Sequence, residues 1–226
     1  MTTAKTMLKE EIVEYARKNL NNTPNHPEYF KMIQGLPYNC FLYELDAARH
    51  LSNEACAAYA NIKISDCNMN MKEFKEAKFK HLSKIFGKIE SDIHMEAPFY
   101  VDYGCNITIG KSFYSNFNTT FLDCTLITIG DNVLVGPNCT FTTATHPSDP
   151  QMRLDGVEYA FPIIVGNNVW FGAGVTVLDG VTIGDGAVIG AGTLVTKDVP
   201  ANAVCVGVPG KVVKIMEPAK AKSQDV

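Results

Sequence analysis

"VGNNVWFGAGVTVLDGVTIGDGAVIGAGTLVTKDVP", residues 165–200, divides into six-residue rows: VGNNVW (165), FGAGVT (171), VLDGVT (177), IGDGAV (183), IGAGTL (189) and VTKDVP (195). The first position is apolar, the second often glycine, and the fifth usually small or β-branched. Six residues are too few for a helix–turn–helix unit, and the pattern lacks the 3.6 period of a helix. It suits a short strand followed by a tight corner. The apolar first and small fifth residues point inward, and Gly or Asn at the corner accepts a positive φ at little steric cost. Gly166 and Gly184 are 18 residues apart, as are Gly172 and Gly190, so three strands close one triangular turn and equivalent residues stack. The spacing predicts a parallel β-helix whose coils bury one another's apolar faces. It does not set the handedness.

The rows continue N-terminally as YGCNIT (103), IGKSFY (109), SNFNTT (115) and FLDCTL (121). After a two-residue slip at Ile127 and Thr128 come IGDNVL (129), VGPNCT (135) and FTTATH (141). Ile129 and Val165 differ by 36, so the stretch 147–164 takes up three rows' worth of sequence. Its Ser148, Asp149, Pro150, Gln151, Arg153, Asp155 and Glu158 cannot fill an apolar prism. This predicts a loop that leaves the coil directly after His146, and long loops on rigid scaffolds are usually functional.

Ahead of the repeats the pattern is helical. Leu8, Ile12, Ala16 and Leu20 recur every four residues and form one apolar stripe. NNTPNHP (21–27) is a breaker cluster and reads as a linker. Further helices are predicted at roughly 28–34, 41–50, 53–60 and 71–86, the last stopping at Gly87. The expected organisation is an N-terminal helical extension and linker (1–27), a helical domain (28–92), a β-helix (93–216) with the protruding loop 147–164, and a tail (217–226).

With 226 residues, 46% hydrophobic and 19% charged, the chain can bury a real core. A net charge of −4 leaves no electrostatic footprint for nucleic acid. Nothing resembles a basic membrane-surface helix, a signal peptide core or an 18-residue apolar run, so no membrane partner is expected. The seven cysteines form no CxxC pair and read as reduced thiols in a cytoplasmic protein. There is neither GxxxxGK[ST] nor GxGxxG, which excludes a P-loop or a Rossmann site.

The hexapeptide rows, ATHPSDP, FPIIVGNNVWFGAGVTVLDGVTIGDGAVIGAGTLVTKDVP and the closing VGVPGKVVKIM resemble the maltose and galactoside O-acetyltransferases of the hexapeptide acyltransferase family. The likeness runs continuously from about Pro98 to Met216 and extends to YSNFNTTFLDC and EYFKMIQGLPYNCFLYEL. Residues 1–25 and much of 50–90 fall outside it and read as an extension and an insertion. The resemblance implies a left-handed β-helix and a homotrimer, with acetyl-CoA in a groove between subunits, a sugar acceptor and no metal.

A lone histidine at a rung end often does no more than cap a coil. In the THP context at the loop exit, His146 matches the family's general base. An imidazole there can take the proton of an acceptor hydroxyl and return it to the leaving thiolate. The Gly172–Ala173 backbone matches the family's N–H donor to the developing oxyanion. Asp102, Asn116, Cys124 and Met32 fall at acceptor-contacting positions. Of these only Asn116 is retained in kind; Asp102 replaces a serine, and Met32 and Cys124 stand where the galactoside enzyme has aspartates. Thr196, Lys197, Lys211 and Lys214 match CoA-binding positions, the last two replacing arginines. Ala191 matches a residue beside the pantetheine arm, and the single tryptophan, Trp170, points outward and is a candidate to pack on the cofactor.

Three alternatives stay open. A zinc-dependent β-helical carbonic anhydrase needs three histidines, whereas the coils hold only His146, with His94 just before them. A non-catalytic scaffold would not turn over a thioester. An acetyltransferase for serine or an antibiotic would share the coil but not the EYF…GLPY…YEL segment.

Overall fold

The computed structural model describes residues 9–217. Its fold is the expected one, a parallel β-helix with a small helical N-terminal domain. The helices are α1 (Lys9–Asn19), α2 (Pro27–Ile33), α3 (Tyr43–Ala60) and α4 (Met71–Ile85); the two-residue strand β1 (Tyr38–Asn39) and a 3₁₀ turn (Ile64–Cys67) lie between them. On α1 the stripe of Ile12 and Ala16 is buried with Leu20, while Leu8 lies outside the described residues. The breaker cluster 21–27 is tied down rather than free: the Asn21 N–H donates to the Gly87 carbonyl, and His26 Nδ1 accepts from Glu28 N and caps α2.

Two helical expectations change. The helices expected at 41–50 and 53–60 are one, Tyr43–Ala60, and the Ser52 hydroxyl within it donates to the Tyr103 carbonyl at 2.7 Å rather than breaking the turn. Gly87 follows a helix that already ends at Ile85. A Cβ there would lie 1.9 Å from the Cys105 carbonyl oxygen, so glycine is required by a close backbone approach and not by a cap.

The prism has three faces, each a parallel ladder. Face A holds β2 (Lys88–Ile89), β5 (Ile107–Ile109), β8 (Ile127–Ile129), β13 (Ile163–Val165) and β16 (Thr182–Ile183). Face B holds β3 (Ile93–Met95), β6 (Phe113–Ser115), β9 (Leu134–Val135), β14 (Trp170–Phe171), β17 (Val188–Ile189) and β19 (Ala203–Val206), with β20 (Lys211–Ile215) closing it antiparallel. Face C holds β4 (Phe99–Val101), β7 (Thr119–Leu122), β10 (Thr140–Thr142), β15 (Thr176–Val177) and β18 (Leu194–Val195). The coil therefore begins at Lys88, ahead of both position 93 and the first legible row.

Registers decide the period. Ile164 pairs Thr182, the expected 18, but Ile107 pairs Ile127 and Lys88 pairs Thr108, a step of 20. The slip at Ile127 is thus one of two. The other lies at residues 102–106, where Tyr103 imitates the apolar start of a row but sits in the enlarged corner. Both enlarged corners are tied together by the buried Asp123. Its Oδ1 accepts from the N–H groups of Asp102 (3.1 Å) and Tyr103 (2.9 Å), and Oδ2 accepts from Asn106 at 3.4 Å.

The helical domain docks on those same corners. Tyr29 and Met32 of α2 join Tyr103, Cys105, Cys124 and Leu126 in one apolar cluster. The Tyr29 hydroxyl donates to Asn106 Oδ1 at 2.7 Å, and the Thr125 hydroxyl donates to the Ile33 carbonyl at 2.8 Å. A separate core fills the prism. In it Phe121 stacks on Phe141 with ring centroids 5.1 Å apart, and Phe141 meets Phe171 edge-on.

The stretch 147–164 is not wholly a loop. β11 (Ala144–Thr145) leaves the coil, a short helix α5 (Pro150–Leu154) capped by Asp149 makes the tip, and β12 (Val157–Ala160) returns antiparallel to β11. β1 of the helical domain adds to the other edge of β12. Ile163 and Ile164, read as loop, belong to face A, because Ile163 completes the inward column above Ile127.

Two stability predictions follow from these contacts. Ile183→Asp places an unpaired carboxylate in a 1%-exposed inward position and should cost several kcal/mol, read as a large fall in Tm; an unchanged Tm would contradict the register. Asp123→Ala strands the buried N–H donors of Tyr103 and Asn106 and should cost about 3 kcal/mol, whereas a change within ~0.5 kcal/mol would show that the enlarged corners hold without it.

Candidate active site

The residues singled out in the sequence fall on two corners of the prism. Asp102 follows β4, Cys124 follows β7 and His146 follows β10, so they succeed one another coil by coil at the corner between faces C and A. Thr196 and Lys197 follow β18 at the same corner, exposed. Asn116, Gly172–Ala173 and Ala191 occupy the other end of face C, at the corner from face B. No hydrogen bond or ion pair joins the two sets among the described residues. Face C separates them.

At the first corner the hairpin projects His146. Its side chain is 56% exposed, and Nε2 stands 4.0 Å from Oε1 of Glu158, whose side chain is only 11% exposed. That separation is too long for a direct hydrogen bond. Glu158 was not among the sequence candidates. The available signal was its place at an inward position of an alternating VEYA strand, visible only once residues 157–160 are known to be β. A cleft of about 160 Å³ opens beside the histidine, lined by Cys40, Phe41, His146, Arg153, Gly156 and Val157.

Behind His146 lies a buried polar layer. The Cys124 thiol donates to Asp102 Oδ2 at 3.6 Å. Burial pushes the Asp102 carboxyl above the usual carboxylate range, opposed by the Cys124 hydrogen bond and by Arg49. Burial also holds the Cys124 thiol well above its ordinary value, which keeps it protonated and a weak nucleophile. Asp123, one layer deeper, is pushed up to about 8 by burial, although the Tyr103 N–H pulls the other way. The Tyr38 hydroxyl is buried beside the Cys124 thiol. Met32 has no exposed surface and packs with Tyr29 and Tyr38, so the structure places it in the core rather than on a cleft wall.

At the second corner Gly136, Gly172 and Gly190 form a column: the N–H of Gly136 donates to Phe171 O and that of Gly172 to Ile189 O. Asn116 is the residue of this column in the coil of β6, its N–H donating to Val135 O, and its Oδ1 accepts from the Phe117 N–H at 2.7 Å. A side chain therefore stands where the next three coils have none. A Cβ on Gly172 would lie 2.6 Å from the Ala191 nitrogen, so the coils touch backbone to backbone here. The Ala173 N–H donates to no acceptor among the described residues. Ala173 and Ala191 are exposed; Trp170, on β14 at the approach to this corner, is 53% exposed, and Lys211 and Lys214 stand exposed on β20. Among the described residues no three His, Cys, Asp or Glu side chains converge as metal ligands.

Comparison with known proteins agrees with this geometry. The family described as "Bacterial transferase hexapeptide (six repeats)" matches residues 162–197, "Hexapeptide repeat of succinyl-transferase" matches 126–144, and "Maltose acetyltransferase hexapeptide capping motif" matches 31–90. The last corrects the view of 50–90 as an insertion: α3 and α4 belong to the capping domain. The sophorolipid acetyltransferase of Starmerella bombicola is 41% identical over 96% of this chain and 85% of its own length. Among solved structures, a maltose O-acetyltransferase from Clostridium difficile 630 superposes with a TM-score of 0.78 at 38% identity, covering 85% of this chain and 99% of that one. A galactoside acetyltransferase in complex with coenzyme A gives 0.76 at 37% identity, covering 85% and 92%. The chain belongs to the maltose and galactoside acetyltransferase branch of the hexapeptide-repeat acyltransferase family.

Proposed function

We propose that the protein transfers the acetyl group of acetyl-CoA directly to a hydroxyl of a small sugar, glucose- or maltose-like or a galactoside, with His146 as general base. The observation that carries this is His146 itself: a half-exposed imidazole at the exit of a rigid coil, with the buried Glu158 carboxylate 4.0 Å behind it. The imidazole takes the proton of the acceptor hydroxyl as its oxygen attacks the thioester carbon. The ring then returns the proton to the departing thiolate. The products are the sugar ester and free coenzyme A. No serine or cysteine need form a covalent intermediate, in keeping with the deeply buried Cys124.

The second corner suits the acyl donor. Two exposed alanines backed by glycines leave a bare backbone track for the narrow pantetheine arm, and the Ala173 N–H is available where charge develops on the thioester oxygen. Trp170 offers a flat apolar surface, Lys211 and Lys214 offer charge for phosphates there, and Lys197 would add its charge from the His146 corner of the neighbouring subunit. On the acceptor side, Asn116 and Asp102 are the polar groups suited to sugar hydroxyls. Since one chain holds the two sets at opposite edges of face C, we assign each site to two neighbouring subunits of a homotrimer. One would supply the His146 corner and the next the Ala173 corner. No helix among the described residues is long and apolar enough to cross a membrane.

A free-thiol assay with acetyl-CoA should give kcat/KM for glucose or maltose at least about tenfold above serine or chloramphenicol, about 1.4 kcal/mol of discrimination; serine faster than every sugar would overturn the acceptor class. His146→Ala should lower kcat by roughly 10²–10⁴ with Tm unchanged, and activity within twofold of wild type would remove it from the chemistry. Lys211→Glu should raise KM for acetyl-CoA far more than KM for the sugar, with an effect that shrinks at high salt as phosphate attraction is screened. A shift confined to the sugar KM would mean the donor lies elsewhere.

A further inference from the structure

Large apolar side chains lie exposed on the two segments that wall the His146 cleft. Phe41, a wall of that cleft, is 77% exposed; Tyr43, two residues on, is 79% exposed; and Leu154, at the end of α5 next to the cleft residue Arg153, is 80% exposed. Phe41 is anchored rather than loose. The Phe41 N–H donates to Asn39 Oδ1 at 3.0 Å, and the Phe41 ring edge comes within 3.9 Å of where a Cβ on Gly156 would stand. β1 pairs with β12, so the segment carrying Phe41 and the hairpin carrying Leu154 are parts of one three-stranded sheet. Isolated apolar residues on a surface need no explanation, but three on the two segments that wall one cleft offer a surface for an apolar group. A free monosaccharide has nothing to place there.

We infer that the acceptor is an amphiphilic glycoside, a sugar whose alkyl or acyl chain lies along Phe41, Tyr43 and Leu154 while its hydroxyl reaches His146. This deepens, and rests on, the assignment of a sugar acceptor above. The occupant follows from continuity: Phe41 walls the cleft that holds the base, and Tyr43 and Leu154 extend the exposed apolar positions along the two segments that form it, so a ligand with one polar and one apolar end spans both. The sophorolipid acetyltransferase that aligns with 96% of this chain is named for a glycolipid of that kind. The chain would add affinity by removing apolar surface from water without taking part in the acetyl transfer.

The test compares methyl β-D-glucoside with n-octyl β-D-glucoside below its micellar concentration, in wild type and in Phe41→Ser/Leu154→Ser. In wild type kcat/KM for the octyl glycoside should exceed that for the methyl glycoside at least tenfold, about 1.4 kcal/mol. In the double variant the ratio should fall to about twofold or less. Methyl glucoside turned over with a wild-type ratio near one would overturn the inference and leave sugar acetylation standing. A high ratio that the variant keeps would place the chain elsewhere and also overturn it. Loss of the native oligomer in the variant by light scattering would assign these side chains to a subunit contact instead. If acetyl-CoA binds but neither glucoside is acetylated, the sugar assignment fails and this inference with it. Both positions are exposed, so the variant should fold, and the wild-type ratio tests the inference without it.

Discussion

Everything in the molecule depends on each coil lying directly on the last with its backbone paired. Three parallel ladders satisfy the N–H and C=O groups of a chain whose strands are too short to be stable alone. Coils at ladder spacing leave no room for a side chain where one corner crosses the next. That is why Gly136, Gly172 and Gly190 align in one column and why the backbone there is bare. The same tightness gives the chemistry its rigidity. His146 follows β11 at the edge of a prism whose interior is filled by Phe121 stacked on Phe141 and Phe171 edge-on to it, a rigid mount for the imidazole in the proposed chemistry.

The departures from regularity are where function gathers. Two corners carry two extra residues each, closed by Asp123, and on these the helical domain seats Tyr29, Tyr38 and Met32. A third departure ejects the β11–β12 hairpin, which β1 then fixes to the helical domain. Cap, hairpin and His146 thus form one unit. A fourth is Asn116, a side chain in a column of glycines. The helical domain is therefore built into the His146 corner and is not an appendage, in line with the capping motif that spans 31–90.

The legible parts of the sequence were those with a strict period. Rows 165–200 predicted inward Ile183 and Val177 correctly, because an 18-residue coil leaves no freedom of register. The first coil, from Lys88, escaped notice because Glu96, Ala97 and Pro98 stand where glycine or asparagine would announce a corner. Tyr103 misled because an apolar residue at the right interval looks like a row start, while only three-dimensional contact with Asp123 reveals the enlarged corner. Ser52 looked like a helix break because its bond to the Tyr103 carbonyl is tertiary. Met32 matched an acceptor position by alignment yet is buried, since its neighbours on α2 turn that face to the coil. His146 was legible because it closes a repeat. Glu158 was not, because nothing in the hairpin's own pattern separates it from Asp149 and Asp155.

The central claim is that a site is completed only between neighbouring chains, by the His146 corner of one and the Asn116–Ala173 corner of the next. Mixing tests it most directly. His146→Ala and Asn116→Ala, each expected to be severely impaired alone, would be unfolded together in equal amounts and refolded. Random assembly of rings should pair an intact His146 corner with an intact Asn116 corner at about a quarter of interfaces. The account predicts that the mixture recovers activity toward about a quarter of that of wild type treated in the same way. Activity no greater than the mean of the two variants alone, with mixed assemblies present, would mean that both corners act within one chain and would contradict it.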